Sequence, residues 1–106
     1  MKRASETTVV LAGEDVTKRE GITAFCASHG LRIAGQCDEC AATVEMVLDL
    51  DPEIVILGLQ MPGGSGIEVV RRLRLTGSRV KIVILSDSKE RAPMMEALRR
   101  GADGYL

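Results

Sequence analysis

Strands that alternate with helices along this chain predict an α/β protein built on a parallel sheet. Two observations carry that prediction. Ile54-Val55-Ile56-Leu57 and Lys81-Ile82-Val83-Ile84-Leu85 are short apolar runs rich in β-branched residues, the pattern of strands buried on both faces. Between such runs the apolar residues recur at helical spacing instead. A length of 106 residues then allows one domain with one core.

The elements follow in order. Thr7-Thr8-Val9-Val10-Leu11-Ala12 is the first candidate strand. Thr17 to Ser28 reads as a helix with Ile22, Phe25 and Cys26 on one face, stopped by Gly30. Leu31-Arg32-Ile33-Ala34-Gly35 alternates and suits an edge strand. Glu39 to Leu50 carries Val44, Val47 and Leu48 at helical spacing, and Asp51-Pro52 ends the run. After the strand at 54–57, Ile67 to Leu75 presents Val69, Val70 and Leu73, then Thr76-Gly77-Ser78 breaks it. Glu90 to Arg100 is the last helix; Pro93 falls in its first turn, where a missing N–H costs little, and Gly101 is placed to cap its end. A short strand at Gly104-Tyr105-Leu106 closes the pattern. Right-handed crossovers put the ligand-binding edge beyond the carboxyl ends of such strands, where Gly13, Glu14, Asp15, Gly58 and Ser86 collect.

Composition narrows the function classes. With 14 basic and 15 acidic residues, the net charge of −1 gives no electrostatic bias toward nucleic acid. No apolar run approaches the roughly 20 residues of a membrane span, and no secretory signal opens the chain. Residues 1–6 read as a loosely ordered polar leader, with the domain at 7–106. An odd count of three cysteines argues for a reducing compartment, and the expected location is the cytoplasm.

Four stretches in this order and spacing resemble bacterial response-regulator receiver domains of the LuxR/NarL type: Arg19-Glu20-Gly21, Met61-Pro62-Gly63-Gly64-Ser65-Gly66, Glu96 to Gly101, and Gly101-Ala102-Asp103-Gly104-Tyr105-Leu106. The resemblance spans nearly the whole chain. It implies a flavodoxin-like (βα)5 fold with a parallel five-stranded sheet in the order 2-1-3-4-5, cut here before its last helix. In that family two acidic residues after the first strand help hold magnesium, and an aspartate ending the third strand is the phosphoryl acceptor. A Ser or Thr after the fourth strand and a lysine after the fifth hold the phosphoryl oxygens.

Against that pattern the acceptor position is Gly58, and the acid pair aligns with Gly13 and Glu14; a slip of one residue gives Glu14 and Asp15 instead. Ser86 keeps the hydroxyl, Tyr105 matches the aromatic that turns inward on activation, and the lysine falls just past Leu106. Glycine has no side chain to phosphorylate. The expectation is therefore an atypical, phosphorylation-independent receiver acting as a protein-interaction and dimerisation module. Its partners are a second copy or another regulatory protein, and DNA only through a C-terminal domain absent from this chain. Met94 and Met95, with Tyr105, mark the expected contact face, since methionine suits adaptable contacts. Two alternatives stand beside it: a small-molecule sensor built on the pocket around Gly13, Glu14, Gly58 and Ser86, or a conventional regulator whose acceptor was replaced. No enzymatic turnover and no cofactor are expected; Glu14 and Asp15 are at best a weak magnesium pair.

The remaining motifs favour ordinary readings. Cys26-x2-His29 and Cys37-x2-Cys40 have zinc-like gaps, but Cys26 lies beside Phe25 on an apolar face and free cysteine is a common small core residue. A redox role for Cys37 and Cys40 would want the strand-to-helix setting of thioredoxins, which the motif is read as lacking. His29 suits an exposed helix end. Arg71, Arg72, Arg74, Arg99 and Arg100 read as solvated helix faces.

Overall fold

The computed structural model describes residues 7–87 and 90–106; the leader expected at 1–6 lies outside the described residues. Strands β1 (Thr7–Ala12), β2 (Leu31–Cys37), β3 (Ile54–Gly58), β6 (Lys81–Leu85) and β7 (Gly104–Tyr105) form one parallel sheet in the order β2-β1-β3-β6-β7. That is the expected 2-1-3-4-5 order, with β6 and β7 as fourth and fifth strands. Between β3 and β6 lies a small antiparallel hairpin, β4 (Gln60–Met61) and β5 (Gly64–Ser65).

Helices α1 (Val16–Ser28), α2 (Cys40–Leu50), α3 (Gly66–Leu75) and α4 (Arg91–Arg100) connect the strands. The starts of α1, α2 and α3 have a local cause. Asp15, Glu39 and Ser65 are N-caps whose side chains accept from the N–H groups of Lys18, Ala42 and Glu68. The α4 helix ends where Gly101 takes φ 114°, a left-handed cap that a side chain would strain and push against Arg74.

The sheet's two faces differ. Val10, Ala12, Val55, Leu57, Ile82 and Ile84 pack with Val44, Val47, Val69, Val70, Leu73 and Ala97 from α2, α3 and α4. Burial of each large side chain here contributes about 1.5–3 kcal/mol. The alternate residues Val9 and Leu11 are buried too, with Cys26 of α1. Further along this second face, Ile54, Ile56, Val83 and Leu85 are only half-buried.

Two residues of the predicted helical apolar faces are left exposed by this geometry. Phe25 is 59% exposed on α1, stacked on His29 with ring centroids 4.2 Å apart. No described element reaches far enough over the second face to bury it. Leu48 is 49% exposed, because the buried stripe of α2 runs through Cys40, Thr43, Val44 and Val47 and leaves Leu48 beyond its margin.

Candidate functional site at the carboxyl edge of the sheet

Strand register assembles the site. Ala12 pairs with Leu57 and Gly58 with Leu85, so the residues that follow them, Gly13 and Ser86, flank Gly58 at the same edge. They open into a cleft of roughly 730 Å³ that also takes in Glu14 and Asp15. Tyr105 stands apart from this cleft: its ring packs against the core, and its buried hydroxyl has no hydrogen-bond partner among the described residues.

The fold does not require glycine at 58 or 13. A Cβ on Gly58 would lie 3.6 Å from Gln60 O and from Gly13 Cα, and one on Gly13 4.0 Å from Gly58 N, all ordinary contacts. Gly66 is the opposite case. A Cβ there would come within 2.5 Å of the Gly58 carbonyl, while its N–H donates to Leu59 O at 2.8 Å. The Gly66 backbone thus buttresses the end of β3, and this close approach explains one glycine of the Gly-Gly-Ser-Gly run.

Charged groups rim the cleft. The Asp15 carboxylate is committed to capping α1, accepting from Lys18 N at 3.1 Å. Lys18 reaches across to form an ion pair with Asp87, 69 residues away, and that hydrogen bond holds its ammonium above the usual lysine range. A guanidinium N–H of Arg19 donates to the Gly13 carbonyl, while its buried Nε has no hydrogen-bond partner among the described residues. Lys18, Arg19 and Asp87 were not singled out as site residues from sequence.

This donor set does not fit magnesium. With glycine at 13 and 58, the carboxylates lining the cleft are those of exposed Glu14, of Asp15, which already accepts a backbone N–H, and of Asp87, which is paired with Lys18. Among the described residues no group of three or more His, Cys, Asp or Glu is placed to hold a metal ion.

Comparison with known proteins agrees with the architecture. The response regulator receiver domain profile matches residues 9–106. This chain belongs to that family. It is 30% identical to the nitrate/nitrite response regulator protein NarL of Escherichia coli K12, over all of this chain and 50% of that protein. It is 32% identical to the response regulator GacA of Pseudomonas viridiflava, over 83% of this chain and 42% of that protein. The chain therefore spans about half the length of the curated relatives it matches. Among solved structures, the receiver domain of the putative response regulator NarL from Mycobacterium tuberculosis superposes with a TM-score of 0.90 at 28% identity, covering 96% of this chain and 83% of that one. A LuxR-family DNA-binding response regulator from Staphylococcus aureus shares the fold, with a TM-score of 0.89 at 24% identity over 94% of this chain and 84% of that one.

In this receiver domain Met95 is 47% and Leu98 42% exposed on α4, with Met94 half-buried beside them. No described helix is long and apolar enough to cross a membrane.

The cysteines correct one sequence reading. Cys37 ends β2 and Cys40 opens α2, so the Cys-x-x-Cys does sit on a strand-to-helix turn. The thiols nonetheless have separate partners: Cys37 Sγ lies 3.1 Å from Thr43 Oγ1, and Cys40 Sγ donates to Ser65 O at 3.6 Å. All three cysteines are free. Burial pushes the thiols of Cys26, Cys37 and Cys40 above their ordinary range, against the thiolate that redox chemistry requires. Their alkylation by iodoacetamide in the native state should be at least about tenfold slower than in denaturant near pH 8. The sign for stability follows: a thiol whose folded pKa is raised has no effect below the unfolded thiol pKa and lowers stability as pH rises above it. Native alkylation as fast as denatured would contradict both statements.

Proposed function

We propose that this receiver domain works without phosphotransfer, as a protein-interaction and dimerisation module of a NarL/LuxR-type regulator. The observation that carries this reading is at Gly58. The position ends β3 in the cleft, has room for a side chain, and is glycine beside a second replaceable glycine at 13. Packing would accept the carboxylates that the chemistry of this family uses at 13 and 58, and the sequence does not supply them. With no phosphoryl group to shift the population, partner binding sets the conformational state. The exposed Met95 and Leu98, with Met94 and Tyr105 behind them, give α4 and β7 an adaptable contact face.

The length of the relatives supports a larger protein in which a C-terminal half binds DNA, with the cytoplasm as its place of action. The half-buried Ile54, Ile56, Val83 and Leu85 suit coverage by a helix following Leu106. A second reading, ligand sensing, is favoured by one observation, the cleft left open around Gly13 and Gly58.

Incubation with acetyl phosphate and magnesium, read by intact mass, tests the first reading. No phosphoryl adduct is expected on the chain, and a stoichiometric adduct would end it. Native mass spectrometry of protein purified from its own host separates the two readings. A small molecule lost on denaturation would put the sensor ahead of the interaction module.

A further inference from the structure

The ion pair between Lys18 and Asp87 joins two segments far apart in sequence at the mouth of the cleft. Lys18 lies in the first turn of α1, whose start is fixed by the Asp15 cap. Asp87 follows Ser86 directly after β6, on the segment that leads into α4. Ser86 is itself tied to the next strand, its N–H donating to Leu106 O at 2.9 Å, and Leu106 N donates to Ile84 O at 2.8 Å. Whatever holds Asp87 therefore bears on how the chain leaves β6. Glu14 and Asp15 from the β1–α1 turn also face this mouth, and Asp15 reinforces the positive charge on Lys18.

We propose that the Lys18–Asp87 pair is a built-in latch. It ties the segment after β6 to the N-terminus of α1 across the cleft, a bridge that needs no phosphoryl group. As a substitute for phosphorylation, this role rests on the phosphotransfer-independent reading above; as a physical link it does not. The latch is made of exposed side chains, 54% and 84% accessible, so it is weak, reversible and salt-sensitive rather than a permanent clamp.

Amide hydrogen exchange followed by NMR tests it. Lys18→Met and Asp87→Asn should each speed exchange at Ser86 by up to roughly fivefold, the upper range for an exposed pair, and leave Val10 and Val55 in the central strands unchanged. Raising salt to about 1 M, where screening acts over about 3 Å, should do the same to the unaltered chain and little to the variants. The charge swap Lys18→Asp with Asp87→Lys should restore protection. Unchanged Ser86 exchange in both single variants, or a swap that fails to restore protection in a chain whose central strands remain protected, would overturn the latch. Neither result bears on the acetyl phosphate experiment, which judges the functional reading separately.

Discussion

Replacing both glycines of the cleft, Gly13→Asp with Gly58→Asp, is expected to create magnesium dependence where the unaltered chain has none. The steric side of the argument is favourable, since both Cβ positions meet only ordinary contacts. Electrostatics then decides. Two new carboxylates would join Glu14 at the same edge, and like charges about 5 Å apart repel by about 3 kcal/mol at an effective dielectric of 20. The double variant should therefore lose about 1–3 kcal/mol near neutral pH without metal. Magnesium should return part of it, about 1.4 kcal/mol at a concentration ten times its dissociation constant. The single Gly58→Asp variant should fold with a cost below about 1.5 kcal/mol and respond only weakly to magnesium, because Gly13 still contributes no ligand. Urea melts with and without magnesium check each step, with calcium as a control for simple charge screening. Efficient phosphorylation of the single variant by acetyl phosphate would mean that the site differs from a working one at a single side chain. The idea of a site remodelled at two positions would then fail.

The features that sequence made legible here are those governed by local periodicity and backbone chemistry. Ile54 to Leu57 and Lys81 to Leu85 are strands because continuous β-branched runs have few other stable uses. Gly58 and Gly13 were legible because the stretches around them resemble the receiver pattern and a parallel sheet gathers its strand ends at one edge. Helical spacing placed Phe25 on one face with Ile22 and Cys26, but spacing reports which residues share a face and not whether anything covers it. The β4–β5 hairpin has two residues per strand, too few for any periodicity to register. Lys18 and Asp87 could be matched only in three dimensions, each being an unremarkable charge in its own segment. The terminal Gly-Ala-Asp-Gly-Tyr run lay between these extremes: it served as a mark of resemblance, while its physical reason lies in Arg74, which was read as part of a solvated face.

That reason leads to the second large effect, at Arg74 and Asp103. Arg74 is partly buried and is a hub rather than a surface charge. Its Nε and one terminal nitrogen donate to Gly101 O at 3.1 and 2.9 Å, and the other terminal nitrogen donates to Ser78 O and Val80 O at 3.0 and 2.8 Å. It thus satisfies carbonyls at the end of α4 and along the segment entering β6, while its stem packs on Gly101, whose φ of 114° favours glycine. Asp103 completes the joint. One carboxylate oxygen accepts from Arg74 at 3.0 Å and from Ile82 N at 2.8 Å, and Asp103 N returns a bond to Ile82 O at 2.8 Å. Arg74→Met keeps much of the packing and strips the donors from three carbonyls, so a loss of about 2–4 kcal/mol is expected. Asp103→Ala leaves the Ile82 N–H without its acceptor and should cost about 1–3 kcal/mol. For a domain of this size each kcal/mol lowers Tm by about 4–8 °C, so calorimetry resolves both variants easily. A double-mutant cycle separates the causes. The Arg74–Asp103 pair is partly exposed, at 24% and 41%, so its coupling should stay below about 1 kcal/mol while the single losses are larger. If the coupling instead accounted for nearly all of both losses, the ion pair, and not the capping of backbone groups, would be what fastens α3, α4 and β6 together.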